Sequence, residues 1–220
     1  GVISDVDDTI LQTGATDLVR NWRTILLHSA ESRLPFRGVA AFYRALERGG
    51  TGAEPVNPIF YVSSSPWNLY DLLERFVEVH GLPAGPMYLR DFGLDRTKLV
   101  TGRHERHKLG AIERLFAFYP ALGFILIGDS GQHDAAIYAE LVRRHPGRVR
   151  AVYLRDVTAS AATDQEARDL LEAVRRAGTR ATFCSDLLEA AADAASQGWI
   201  TAEAVEEVRR EIEAMAAATG

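Results

Sequence analysis

Phe124-Ile125-Leu126-Ile127-Gly128-Asp129-Ser130-Gly131 is the stretch on which the fold turns. Four consecutive apolar residues suit a strand buried on both faces, as in a parallel sheet covered by helices; a half-solvated strand would alternate apolar and polar positions. Outward from this run the pattern repeats. Val2-Ile3 precedes Asp5, Ile59-Phe60-Tyr61-Val62 precedes a serine run, and Val149-Arg150-Ala151-Val152-Tyr153-Leu154 forms a fourth. Ala181-Thr182-Phe183-Cys184 is a weaker fifth, and Pro86-Met87-Tyr88-Leu89 reads as a further short strand. Segments of helical period separate the runs, so the sequence predicts an α/β fold with a parallel sheet. The strong runs end at small or acidic residues, and the carboxyl ends of parallel strands are where such folds bind ligands.

Composition sets the outer limits. The 220 residues are 47% hydrophobic and 25% charged, ordinary for a soluble globular domain, and they suffice for a core without staples. We expect one domain over residues 1–220. The single cysteine, Cys184, excludes a disulfide framework and a cysteine-based zinc site. A formal net charge of −5 argues against a dedicated nucleic-acid binder. No apolar run reaches the length of a transmembrane span and no signal peptide is seen, so a cytoplasmic location is expected. Gly1-Val2-Ile3 lacks a Met and reads as a truncated start.

Helix signals lie between the strands. Ser65-Pro66 reads as an N-cap and a first-turn proline, followed by Leu69, Leu72, Leu73 and Phe76 at helical spacing and a stop at Gly81. Thr163 and Glu166 form a capping-box pair before Ala167, Leu170, Leu171, Val174 and Gly178. Residues 201–217 read as an amphipathic, acidic-leaning helix. Residues 11–35, with Trp22, Ile25, Leu26 and Leu27, form an insert after the first strand, and 82–107 a loop-rich stretch. Such inserts either shape a substrate entrance or only cover the core.

The chemistry gathers at strand ends. Asp5-Val6-Asp7-Asp8 crowds three carboxylates into four positions, an arrangement that a hard divalent cation with oxygen ligands would relieve. Asp129 and Asp134 follow a second strand, and Gly128 and Gly131 permit close backbone approach to a ligand. Two acidic strand ends on one sheet edge favour a metal site over two unrelated helix caps. Ser63-Ser64-Ser65 ends a third strand, where hydroxyls and free N–H groups favour a phosphate, although capping alone also accounts for Ser65. Lys108 opens an apolar helix against the dipole and so calls for an anionic neighbour; Lys98, in the loop-rich stretch, is the weaker candidate. His133 reads as an exposed loop residue. His104 and His107 have metal-like spacing but are read as loop, and Cys184 as a small core residue.

Taken in order, Asp5-x-Asp7-x-Thr9, Ser63, Lys108 and Gly128-Asp129-x-x-x-x-Asp134 resemble the haloacid-dehalogenase superfamily. Ser4-Asp5-Val6-Asp7-Asp8-Thr9-Ile10, Tyr61 to Asn68, Leu89-Arg90-Asp91-Phe92-Gly93, His107-Lys108 and Leu126 to Asp134 narrow this to the catalytic domain of the actin-patch-associated phosphatidate phosphatase family. The resemblance covers residues 1–157 and leaves 158–220 as sheet completion and C-terminal helices. It implies a three-layer Rossmann-like fold with a central parallel sheet and small or minimal cap inserts.

It also implies roles. Asp5 is the nucleophile that becomes an aspartyl-phosphate. Asp7 is general acid and then base, with its backbone carbonyl on Mg²⁺. Asp129 is a metal ligand, and Asp134 supports the metal or Lys108. Ser63, Ser64 and Lys108 hold the phosphoryl oxygens. The implied reaction is Mg²⁺-dependent hydrolysis of phosphatidate, a phospholipid at a membrane surface. The bottom-up reading leaves a small soluble phosphomonoester, or a catalytically silent module binding lipid phosphates or a partner, as alternatives. An aspartate at position 7 can protonate an alkoxide and deprotonate water; the dehalogenase branch of the superfamily that the chain resembles lacks it, so the resemblance argues against dehalogenase chemistry. The basic group Arg96, Lys98, Arg103, Arg106 and Lys108 either meets anionic headgroups or is a solvated loop. Trp22 either dips into a bilayer or packs on the core, and Trp67 and Asn68 either touch substrate or only begin a helix.

Overall fold

Among the described residues, consecutive apolar residues build six strands: β1 (Val2–Asp5), β2 (Ile59–Pro66), β3 (Met87–Arg90), β4 (Phe124–Asp129), β5 (Val149–Arg155) and β6 (Arg180–Cys184). All pairings are parallel, in the order β3-β2-β1-β4-β5-β6. The structure, a computed structural model, describes residues 1–6, 36–52, 54–90, 102–130, 133–157 and 161–218, with the side chains of 102–105 and 161–162 undescribed. Asp7, Asp8, Thr9, the insert 11–35, Arg96, Lys98 and Gly131 therefore lie outside the described residues.

Among the described residues five α-helices lie between strands, α1 (Val39–Arg48), α2 (Tyr70–Val79), α3 (Gly102–Phe118), α4 (Asp134–Arg144) and α5 (Ala161–Arg176), and two follow β6, α6 (Leu187–Ser196) and α7 (Ala202–Ala218). The two-residue period of a strand divides the sheet between two cores. Val2, Tyr61, Ile127 and Tyr153 pack with α1, α2, α6 and α7. Ile3, Phe60, Leu126 and Val152 pack with α3, α4 and α5. The register Val2↔Ile59 and Val2↔Ile125 keeps same-face residues side by side across the sheet centre. The result is the expected three-layer, Rossmann-like arrangement. The order turns at β1, between β2 and β4, and in open parallel sheets that turning point opens a crevice beyond the carboxyl ends.

Several local expectations are corrected. Ser65 and Pro66 do not open α2. Pro66 is extended (φ −69°, ψ 146°) and pairs with Arg90 of β3, and a 3₁₀ turn, Trp67–Leu69, precedes the helix. Proline's fixed φ suits an extended edge as well as a first helical turn, and strand pairing decides between them. Lys108 does not open α3 either. The helix begins at Gly102, so Lys108 sits in its second turn and His104 and His107 are helical. Thr163 lies within the first turn of α5, not ahead of it.

Residues beyond 157 complete the fold: β6 pairs with β5, and α6 and α7 cover one face. Gly38, at φ 83°, precedes α1 without a side-chain cap. Glu211 of α7 supplies the missing acceptor, taking the Ala41 N–H at 3.0 Å and bonding Arg44 at 3.2 Å. Among the described residues, no helix is long and apolar enough to cross a membrane.

Candidate active site

Asp5 ends β1 between β2 and β4 with 1% of its surface exposed. A lone carboxylate in that setting would be strongly disfavoured, because burial removes the water that stabilises its charge. The side chain of Lys108 reaches in from α3. Its Nζ lies 2.7 Å from Asp5 Oδ1 and 2.6 Å from Asp134 Oδ1. Lys108 is itself buried. Burial acts to lower its pKa, but the charges of Asp134 and then Asp5, with hydrogen bonds to both, outweigh it and hold the ammonium pKa above its ordinary value. It is a fixed cation at any physiological pH and is not poised as a base.

Asp134 is the first residue of α4, where a carboxylate also meets the positive end of the helix. Its Oδ2 accepts the Asp129 N–H at 3.4 Å. Gly128 makes this approach possible. A Cβ there would fall 2.5 Å from Asp134 Oδ2 and 2.9 Å from a ring carbon of Tyr138. The glycine's closeness thus serves a side chain of the protein itself, in place of the ligand approach expected from the sequence.

Asp129, at the end of β4, completes the group. Asp5, Asp129 and Asp134 each offer a carboxylate oxygen, all within 4.8 Å of one another, and all three residues are buried. Three carboxyl groups thus face a single bridging ammonium among buried side chains. An all-oxygen donor set suits a hard cation such as Mg²⁺ or Ca²⁺ better than a soft one. The residues fit such an ion.

Ser63 is buried beside this group, at the first position of β2 beyond Val62, the register partner of Asp5. Its Oγ accepts the Ser65 N–H at 2.8 Å. Ser64 is half-buried on the same overhang. The structure therefore brings Asp5, Asp129, Asp134 and Lys108 together and places Ser63 and Ser64 on the adjoining strand. Asp7 is outside the described residues. His133 is exposed. Cys184 is buried and in no disulfide, and desolvation, aided by the charges of Glu189, Asp186 and Asp193, pushes its thiol up to about 12.

Tyr43, Tyr138 and Arg155 were not singled out by the sequence, nor was a role for Ser4. Ser4 Oγ donates to the Asp5 carbonyl at 2.6 Å and lies 2.7 Å from the Tyr43 hydroxyl, so α1 braces β1 from the opposite face. Tyr138 donates to the Ile127 carbonyl at 2.9 Å. Arg155, at the end of β5 in register with Asp129, lays its guanidinium over the Phe36 ring. Arg155 carried a visible signal, a cation closing an apolar run. Tyr43 carried none, because its partner lies 39 residues away.

The family model described as "Phosphatidate phosphatase APP1, catalytic domain" matches residues 1–156. Phosphatidate phosphatase APP1 of Saccharomyces cerevisiae is 31% identical over 156 residues, which are 70% of this chain and 25% of that protein. An uncharacterized protein of Schizosaccharomyces pombe is 28% identical over 160 residues, 71% of this chain and 25% of its own. The matched part of the chain thus spans about a quarter of these curated relatives. No solved structure matches at a significant level.

Proposed function

Because the chain belongs to the family of the phosphatidate phosphatase APP1 catalytic domain, we propose that it is a Mg²⁺-dependent phosphoric monoester hydrolase whose substrate is phosphatidate. The observation that carries this reading is the buried Asp5–Lys108–Asp134 chain at the sheet's carboxyl edge, with the Asp129 carboxylate beside it. A nucleophile needs a fixed position, and Lys108 supplies it for Asp5 by a short charged contact.

In this scheme a carboxylate oxygen of Asp5 bonds to phosphorus as the ester P–O bond breaks. The departing alkoxide of diacylglycerol takes its proton from Asp7. Asp7 then removes a proton from water, whose oxygen attacks phosphorus; phosphate leaves and the Asp5 carboxylate is restored. Splitting one difficult displacement into two is the gain of covalent catalysis. Lys108, Ser63 and Ser64 hold the phosphoryl oxygens, where fixed donors are worth most. Asp5, Asp129, Asp134 and the Asp7 carbonyl would hold Mg²⁺, which when bound offsets the repulsion between an anionic nucleophile and an anionic substrate. The protein would act from the cytoplasmic side as a peripheral enzyme, with residues 1–220 as one catalytic domain.

Phosphate release from phosphatidate in mixed micelles tests this. Release should need Mg²⁺, stop on chelation, and fall by about 10³-fold or more in Asp5→Asn. Para-nitrophenyl phosphate runs beside it. Turnover of the small ester alone would keep the chemistry and discard the lipid. A fully active Asp5→Asn would remove Asp5 from the mechanism.

A further inference from the structure

Five large apolar side chains are exposed among the described residues: Val56, Trp67, Val79, Phe118 and Tyr119. Four of them lie where the chain enters the sheet: Val56 before β2, Val79 at the end of α2 ahead of β3, and Phe118 and Tyr119 ahead of β4. Trp67 alone lies where the chain leaves it, on the edge that carries Asp5, Asp129 and Asp134. It is 64% exposed.

Its placement is specific. β1 stops at Asp5, in register with Val62, while β2 continues for four more residues, Ser63 to Pro66. The overhang is bulged: Pro66 pairs with Arg90 only two residues past the Val62↔Tyr88 pair, so at about 3.3 Å per residue it rises roughly 7 Å above the level of Asp5. Ser63 is at its foot and Trp67 at its top. The turn is rigid. Tyr70 N–H bonds the Trp67 carbonyl, and Leu69, 7% exposed, anchors the segment in the core. The indole is thus exposed on a segment that is tied to the fold on its far side. Arg90 of β3, in register with Pro66, brings a cationic residue to the same rim, and Arg106 is exposed on α3, the helix that supplies Lys108.

We propose that Trp67 is a membrane-contact residue: its indole enters the acyl–headgroup boundary of a bilayer carrying an anionic phosphomonoester lipid, while the headgroup phosphate descends beside Ser63 to Asp5. The chemistry of the rim fits that occupant. An indole prefers the interface, where its ring is apolar and its N–H stays wet, and basic neighbours suit an anionic leaflet. A small soluble ester bound at Asp5 would leave the top of the overhang untouched, whereas a phosphate at the end of a glycerolipid puts apolar chains at that height. The proposal rests on the lipid-phosphatase reading for what enters the site, but its test does not depend on turnover.

The test uses the full chain with Asp5→Asn, so that lipid is not consumed. Vesicles of phosphatidylcholine with phosphatidate, brominated in the acyl chains, are titrated in. Trp67 emission should be quenched. Trp67→Phe should lose most of that quenching although two other tryptophans remain, and Trp67→Ala should weaken vesicle binding by roughly tenfold. Thermal unfolding verifies that both variants fold, as expected for a side chain mostly in water. Equal quenching in the Trp67→Phe variant, or unchanged vesicle affinity in Trp67→Ala, overturns the proposal even if phosphatidate is turned over. Trp67-dependent binding with no turnover by the unmutated enzyme upholds the surface and overturns only the catalytic reading.

Discussion

Lys108 is answered by two carboxylates, and the three side chains are at most 4% exposed. Removing one member of such a group strands the others in a medium that cannot solvate them. Lys108→Met should therefore cost about 3–5 kcal/mol in urea unfolding, and Asp5→Asn in the same background should recover part of it by removing one of the charges. A Lys108→Met protein of unchanged stability would mean that water reaches the carboxylates freely. At this scale the sequence was most legible where residue type alone constrains chemistry: aspartates and a lysine have few reasons to be buried other than each other. Tyr43 and the Ser4 hydroxyl were not legible. A tyrosine in a helix looks the same whether its hydroxyl meets water or a serine on a distant strand.

Elements were legible as types and less so at their ends. Runs such as Phe124–Ile127 allow only a doubly covered strand, and all six strands stand where the apolar runs are. Boundaries depend on neighbours that local sequence does not contain. Pro66 is compatible with both strand and helix, and pairing with Arg90 settles it. The start of α3 was hidden by charged residues and Gly102, which are weak helix signals one by one. The coupling of α7 to α1 is of the same kind. Glu211 caps a helix 170 residues earlier, at a position where Gly38 offers no side chain and where a Cβ would meet Ile212 at 2.8 Å. Glu211→Ala should cost about 1 kcal/mol, in the range of a lost N-terminal cap, and Glu211→Gln, which keeps an acceptor oxygen, clearly less. Thermal unfolding of the two variants decides it; equal losses would assign the effect to the charge.

The whole molecule has an alkaline limit set by its buried protons. Desolvation raises the pKa of Tyr43, Tyr61, Tyr138 and Tyr153, and Cys184 is pushed up to about 12. Lys108 is also raised, with its carboxylate partners prevailing over burial. In the unfolded chain these groups lose their protons near their ordinary values, about 8.5 to 10.4. Above pH 9 the unfolded state therefore binds fewer protons than the folded one, and stability falls as pH rises, by up to ~1.4 kcal/mol per pH unit for each group. Below pH 8 the same groups are protonated in both states and contribute no slope. The unfolding midpoint should decline between pH 9 and 11, and a midpoint that holds through pH 11 would contradict the burial of these phenols.

The position of β1 has a consequence for how the protein is made. It precedes every other strand in sequence, yet it sits between β2 and β4, with Val2 paired to Ile59 on one side and Ile125 on the other. Loop closure over such separations is slow, and the contacts repay its entropy only at the end. A nascent chain that has emerged only as far as β3 can pair β1 with β2 but leaves the other side of β1 bare, an open template for a neighbouring chain. Synthesis of β4 closes that gap and delivers Asp129 to Asp5 in one event. On the ribosome, the bare edge passes outward from β1 to β4 and then to β5 while the acidic centre gains its residues one element at a time.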